Sequence, residues 1–277
     1  MTALGGSTIR ARGGVLHYAE AGQGPDLVWL PGGNDFAELV LHAQRGLLER
    51  YHLIAIDPRG QGRSHAPAAP ELYAGPHHVA DLLDALDALG LQRPLLGGHS
   101  RGSRTVLEFA ARYPDRARAV VAVCVPALGG TRGRDARYRG NAAALREQGL
   151  EAFLRNARTA PRNPERRRAW EERLRTIGVE ALGAQYEALA RRPFLAEAME
   201  EFVTPALIVT GERDHLREDC EALVAAVPGL DLVVVPGAAH APMTENPDAY
   251  YAAVQPFLAR WADRARTARW AAADGEG

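Results

Sequence analysis

The chain has 277 residues, 47% of them hydrophobic, with 33 basic and 34 acidic side chains and a formal net charge of −1. That length suits one large α/β domain or a domain with an inserted subdomain, and the apolar share excludes a wholly disordered chain. The balanced charge gives no global signal for a nucleic-acid partner, and no window reaches the roughly 18 apolar residues of a membrane span. The start of the chain lacks a basic segment followed by a long apolar run, so a cytoplasmic protein without a signal peptide is expected. Cys124 and Cys220 are far apart and fit no metal or redox spacing, so both are expected as reduced thiols.

In chain order, Val15-Leu16-His17-Tyr18 is a short strand candidate, and Gly22-Gln23-Gly24-Pro25 a turn. Leu27-Val28-Trp29-Leu30 is an apolar strand that stops at the loop Pro31-Gly32-Gly33-Asn34. A helix is predicted from Ala43 to Glu49, and the strand Tyr51 to Ile56 closes on Asp57-Pro58-Arg59-Gly60-Gln61-Gly62-Arg63-Ser64. From His77 to Leu89 the apolar positions Val79, Leu82, Leu83, Leu86 and Leu89 share one helix face. Pro94 to Gly97 leads into Gly98-His99-Ser100-Arg101-Gly102, followed by a helix from Ser103 to Tyr113 that Pro114 ends. Ala119 to Val125 reads as a buried strand.

From about Leu128 to Glu201 the rhythm breaks into polar helices, with many arginines between Arg132 and Arg168. It resumes with the strand Pro205 to Thr210, the loop Gly211-Glu212-Arg213-Asp214, a helix from Glu218 to Val227 and the strand Leu230 to Val235. Pro236-Gly237-Ala238-Ala239-His240 is a loop, Tyr250 to Ala262 a closing helix with Pro256 inside it, and 271–277 a small, acidic tail expected to fray. Strands alternating with helices, several of them continuously apolar, predict an α/β fold with a mostly parallel sheet covered on both faces. Ligands in such folds sit at the carboxyl ends of the strands, where Asn34, Asp57, Ser100 and Pro126 all fall.

Gly98-x-Ser100-x-Gly102 between a strand and a helix fits a turn that exposes a serine, with glycines two residues either side to relieve crowding. A serine hydroxyl needs a base to take its proton, and the base needs a carboxylate to fix its tautomer. Asp214 and His240 each follow a late strand, in the order Ser100, Asp214, His240, with Glu212 as a rival carboxylate. A tetrahedral oxyanion needs main-chain donors, for which the candidates are the amides of Arg101, at a helix start, and Gly33. Each element also has a plainer reading: Asp214 as a helix cap, His240 as a loop histidine, Pro31-Gly32-Gly33 as a turn.

These stretches together resemble the α/β-hydrolase superfamily over nearly the whole chain. Gly97 to Gly102 resembles its nucleophile elbow, Asp57 to Ser64 its D-x-R-G-x-G-x-S segment at the active-site edge, Gly211 to Asp214 the motif that supplies the acid, and Pro236 to His240 the motif that supplies the base. The resemblance implies a helical cap between strands six and seven, giving core segments 1–127 and 202–270 and a cap at 128–201. Two positions depart from the pattern. Pro31-Gly32 stands where the family commonly has His-Gly, and Arg101 where it more often has an uncharged residue. The Arg101 side chain either binds a substrate carboxylate or pairs on the surface. Relatives of this fold that open epoxides or remove halide use Asp at the nucleophile position, where this chain has Ser100.

The cap arginines are either solvated faces paired with Glu147, Glu151, Glu165, Glu171 and Glu172, or a lure for an anionic substrate. Asn34, Arg101, Trp170, Tyr186 and Phe194 are the candidate substrate-binding residues, and the aromatic ones read equally as the cap's own core. The leading expectation is a serine hydrolase of a small or medium ester or lactone, acting without cofactor or metal. The alternatives are acyl transfer, amide or C–C cleavage, a cyclisation or rearrangement, and a non-enzymatic ligand-binding protein on the same fold.

Overall fold

The computed structural model describes residues 6–33, 35–129, 134–157 and 164–262. Among them, one eight-stranded sheet contains β1 (Gly6–Ala11), β2 (Gly14–Ala21), β3 (Asp26–Leu30), β4 (His52–Ile56), β5 (Leu95–His99), β6 (Val120–Val123), β7 (Ala206–Gly211) and β8 (Leu230–Val235), ordered β1-β2-β4-β3-β5-β6-β7-β8. β1 pairs antiparallel with β2, and β2 antiparallel with β4; every later neighbour runs parallel. The chain steps from β3 outward to β4 and then back across to β5, so the strand order reverses beside β3. Such a switch point opens a crevice at the strand ends.

Strand periodicity divides the core into two. Val28, Leu30, Ile54 and Ile56 join the apolar cluster on one face, whereas Leu27, Trp29, Leu53 and Ala55 join the cluster on the other. The first cluster is closed by α2 (Gly75–Ala88), α3 (Arg101–Arg112) and α7 (Arg217–Ala226), the second by α1 (Ala37–Ala43) and α9 (Pro247–Ala262). Each fully buried Leu or Ile stabilises the fold by roughly 1.5–3 kcal/mol relative to exposure. Gly97 in β5 gives space to the buried Trp29 ring, since a Cβ there would lie 2.1 Å from Trp29 Cε3.

The first helix differs from expectation. It spans Ala37–Ala43, and only a short 3-10 turn, Arg45–Leu47, follows. Ala37, Val40 and Leu41 supply the buried stripe, and the Ala37 amide is held by Asp57 Oδ1 at 2.7 Å. β1 and the short helix α8 (Pro242–Glu245) are additional elements. Cys124 and Cys220 are buried free thiols.

Between β6 and β7 lie α4 (Arg134–Asn156), interrupted at Gly149 (φ 76°), then α5 (Pro164–Ile177) and α6 (Val179–Leu189). They carry their own apolar cluster, which includes Leu145, Phe153, Trp170, Leu174 and Leu182. No described helix is long and apolar enough to cross a membrane.

Candidate active site

Ser100 sits between β5 and α3 with φ 51° and ψ −114°, a conformation that non-glycine residues rarely adopt. Packing holds it there. A Cβ on Gly98 would lie 2.5 Å from the Gly102 carbonyl carbon, and one on Gly102 would lie 2.3 Å from the Leu30 oxygen. Both glycines are therefore fixed by close main-chain approach between the turn, α3 and the end of β3. The Ser100 amide donates to Val123 O at 2.8 Å, and its carbonyl accepts from Ser103 Oγ at 2.6 Å.

Asp214 is buried at the end of β7, and its Oδ1 accepts from His240 Nδ1 at 2.9 Å. The same oxygen takes His215 Nδ1 at 3.1 Å and the Leu216 amide at 3.2 Å, while Thr210 Oγ1 donates to Oδ2 at 3.3 Å. Burial works against the Asp214 charge, but the hydrogen bonds from His215 and His240 outweigh it and hold the carboxyl well below the usual range. Glu212, the other carboxylate of this loop, is exposed and accepts from the Gly237 amide at 2.8 Å. Gly211 lets the two loops meet, because a Cβ there would lie 2.1 Å from Ala239 O. With Nδ1 engaged by Asp214, Nε2 of His240 is the nitrogen left for chemistry. Ser100 and His240 line one cavity, with no hydrogen bond between their side chains among the described residues.

His99 has no counterpart among the residues singled out from the sequence. Its Nε2 donates to the His240 carbonyl at 2.7 Å, with ring centroids 4.9 Å apart. Burial, with the His240 charge adding to it, lowers His99 to about 3, so its ring is neutral and carries the proton on Nε2. Gln61 is another such residue. Its Nε2 donates to Gly32 O at 2.6 Å and to Asp35 O at 3.2 Å, bracing the loop in which Pro31 replaces the family's usual histidine. The Asp57 to Ser64 segment supplies the frame: Asp57 accepts from His17 Nδ1 at 2.8 Å, and Arg59 grips Asp81 at 2.6 and 2.7 Å.

The cavity measures about 1210 Å³, and Gly33, Ser100, Arg101, Trp170, Tyr186 and His240 all border it. Arg101 does not pair on the surface: its Nη1 donates to Gln185 Oε1 at 2.9 Å, and its guanidinium packs against Gly33, whose Cβ would lie 3.0 Å from Nε. Gln185 in turn donates to Gly60 O at 2.7 Å, tying α6 to the core. Trp170 and Tyr186 belong to the apolar cluster of the inserted helices and also line the cavity. Phe194 is a correction. It packs against the core cluster that holds Leu195 and Met199 and is not among the lining residues, because the chain has already turned down from α6 toward β7. Asn34 lies outside the described residues, as do Arg132, Arg158 and Arg162. Several inserted arginines are paired, Arg167 with Glu171 and Arg175 with Glu151, whereas Arg137 and Arg192 line the cavity.

Among the described residues, three groups of His, Cys, Asp or Glu side chains have potential metal-ligating atoms within 4.8 Å of one another: His99, Cys124 and His240; Asp214, His215 and His240; and His17, Glu38 and Asp57. The Asp214–His240 and His17–Asp57 pairs within them are hydrogen-bonded directly.

A family model described as alpha/beta hydrolase fold matches residues 25–247. The chain belongs to the alpha/beta hydrolase fold family. Within this family it is 31% identical to the 2-(acetamidomethylene)succinate hydrolase of Mesorhizobium japonicum over 88% of this chain and 91% of that protein. It is 38% identical to epoxide hydrolase 3 of Siraitia grosvenorii over a shorter stretch, 43% of this chain and 38% of that protein. Among solved structures, the enol-lactonase of Burkholderia xenovorans LB400 superposes with a TM-score of 0.79 at 23% identity, covering 91% of this chain and all of that one, a likeness of fold.

Proposed function

We propose that this chain is a serine hydrolase that cleaves a small or medium carboxylic ester or lactone through an acyl-enzyme on Ser100. The observation that carries the reading is the strained Ser100 at the edge of a large cavity that the Asp214-anchored His240 also borders. Full-length similarity to a relative named as a hydrolase supports it. A serine at this position suits acyl transfer through an ester intermediate, whereas the epoxide-opening members that the chain resembles use an aspartate.

In this mechanism Ser100 Oγ attacks the carbonyl carbon while His240 Nε2 takes the hydroxyl proton. Asp214 holds the tautomer and stabilises the imidazolium. The amides of Arg101, at the start of α3, and Gly33 donate to the developing oxyanion. Collapse breaks the bond to the leaving oxygen, which receives the proton from His240. Water then attacks the acyl-enzyme with His240 as base, releasing the acid and restoring the serine. Helices α4–α6, within the 128–201 insertion, act as a cap whose Trp170 and Tyr186 contact substrate.

Turnover of a panel of short-chain esters and lactones by the wild type and by Ser100→Ala tests this. One atom of labelled oxygen from water in the product acid, with Ser100→Ala reduced at least 10³-fold, is the expected result. Turnover without label would replace hydrolysis by transfer or rearrangement, and full activity in Ser100→Ala would remove the mechanism.

A further inference from the structure

Buried guanidinium groups in this chain are generally neutralised by a neighbouring carboxylate. Arg59 is held by Asp81, Arg104 by Glu108 at 2.7 Å, and Arg134 by Asp219. Two arginines break this rule among the described residues. Nε and Nη2 of Arg101, and Nε and Nη1 of Arg192, are out of solvent contact and have no hydrogen-bond partner. Both arginines line the cavity that Ser100 and His240 share. They come from different parts of the chain, Arg101 from the residue after the serine and Arg192 from the segment that follows α6.

The free pair on Arg101 is informative. Nε and Nη2 are the two atoms through which Arg59 holds the Asp81 carboxylate in a two-pronged grip, at 2.6 and 2.7 Å. On Arg101 the same two nitrogens have no partner, while the remaining nitrogen is fixed by Gln185. That bond, and the bond from Gln185 to Gly60 O, set the guanidinium plane before any ligand arrives. The fork lies against Gly33, since a Cβ there would be 3.0 Å from Nε and 3.5 Å from Nη2. An anion taken by this fork would lie beside Gly33, the candidate oxyanion donor.

Electrostatics agrees with this geometry. Burial lowers Arg101, and it lowers Arg192 to about 10, against the attraction of Glu108 and with repulsion from Arg104 and Arg101 adding to the fall; a guanidinium keeps its proton in proteins, so both are cationic. Two like charges withdrawn from water with unpaired donors are costly, and an anion with two acceptor oxygens relieves both.

We propose that Arg101 and Arg192 form a carboxylate subsite beside Ser100, so that the preferred substrate is a small ester or lactone carrying a second, free carboxylate. Its free carboxylate occupies the Nε–Nη2 fork of Arg101 and is joined by Arg192 from the inserted segment. The substrate half of this inference rests on the serine-hydrolase reading above; the subsite itself does not.

Two measurements keep the failures apart. In the first, kcat/KM for monomethyl glutarate is compared with that for the uncharged methyl hexanoate, in wild type, Arg192→Met and Arg192→Lys. The wild type is expected to favour the anionic ester, and Arg192→Met to cut that preference by about 10²-fold, the scale for removing one member of a buried charge pair. Arg192→Lys recovers only part of it, because an ammonium lacks the planar donor pair. In the second, glutarate is titrated calorimetrically into Ser100→Ala, with hexanoate as the control. Glutarate is expected to bind there, at least about tenfold more tightly than to the double variant Ser100→Ala/Arg192→Met, and to raise the wild-type Tm. If neither ester is turned over but glutarate binds with this arginine dependence, the hydrolase reading fails and the subsite stands. If methyl hexanoate is cleaved through Ser100 as well as the glutarate ester, and glutarate neither binds nor raises the Tm, the subsite is wrong and the hydrolase reading survives. If glutarate and hexanoate bind Ser100→Ala equally, the subsite is likewise overturned.

Discussion

The Gln61 side-chain amide donates to the Gly32 carbonyl at 2.6 Å and thereby turns the Gly33 N–H toward the opposite side of the same peptide plane. In a trans peptide the carbonyl and the following N–H point opposite ways, so one buried side chain sets a candidate oxyanion donor that it never touches. Gln61 is 3% exposed and lies in the Asp57 to Ser64 segment, which ties the β4 end to the β3 loop. Gln61→Leu is expected to lower kcat by about 10- to 100-fold with a much smaller change in KM, short of the loss from deleting a donor outright. Steady-state kinetics on an ester that wild type cleaves checks this; a change confined to KM would assign Gln61 to substrate binding instead.

Gly102 provides a test of how the elbow is held. A Cβ there meets main-chain atoms of Leu30 and Pro31, which have no flexible end to move aside. Gly102→Ala should cost about 1–3 kcal/mol in stability and displace Ser100, so that kcat falls even where the protein remains folded. Thermal denaturation together with kinetics reads both effects. Unchanged Tm and kcat would mean that α3 can shift freely against β3.

Asp214 shares one oxygen between His240 and His215. Asp214→Asn keeps the shape but no longer selects the His240 tautomer, and a fall in kcat of about 10³- to 10⁴-fold is expected. His215→Gln leaves the His240 bond in place, and its kcat should change less than about tenfold. Equal losses in the two variants would make His215 a working member of the site.

His99 predicts a pH effect on stability. Burial, reinforced by the His240 charge, lowers its folded pKa from 6.5 to about 3. Between those values the unfolded chain binds a proton that the folded chain does not, so the contribution is fully present above pH 6.5 and is lost as pH falls toward 3. His78 is shifted in the same direction by burial and by nearby arginines. His99→Gln retains an N–H that can reach the His240 carbonyl but does not titrate, and its stability should fall less steeply over this window. Denaturant titrations at several pH values compare the slopes; equal slopes would mean that His99 is protonated in the folded chain.

The sheet and the loops that carry Ser100, Asp214 and His240 were legible because each is a local pattern, an apolar run ending at a fixed cluster of small and polar residues. β1 was not, because it lies at the sheet edge and only Ile9 of its six residues is buried. The first helix was set too late in the chain, since Leu47 and Leu48 extend the apolar pattern past Ala43, whereas the helix ends at Gln44 (φ −100°, ψ 19°) and the chain passes into a 3-10 turn. Gln61, Gln185 and His99 act through main-chain carbonyls 29, 125 and 141 residues away, which no spacing rule encodes. Arg192 was hidden for a related reason. It sits outside the arginine-dense stretch, and only packing shows that two of its buried nitrogens have been left without a hydrogen-bond partner.

The most direct test of the central claim is covalent capture of the nucleophile. Wild-type protein treated with a fluorophosphonate, digested and analysed by mass spectrometry should carry one adduct, on Ser100, formed in step with loss of esterase activity. Ser100→Ala should carry none, and Asp214→Asn should label far more slowly. No adduct on Ser100, or the same labelling and turnover in Ser100→Ala, would contradict a serine-based mechanism.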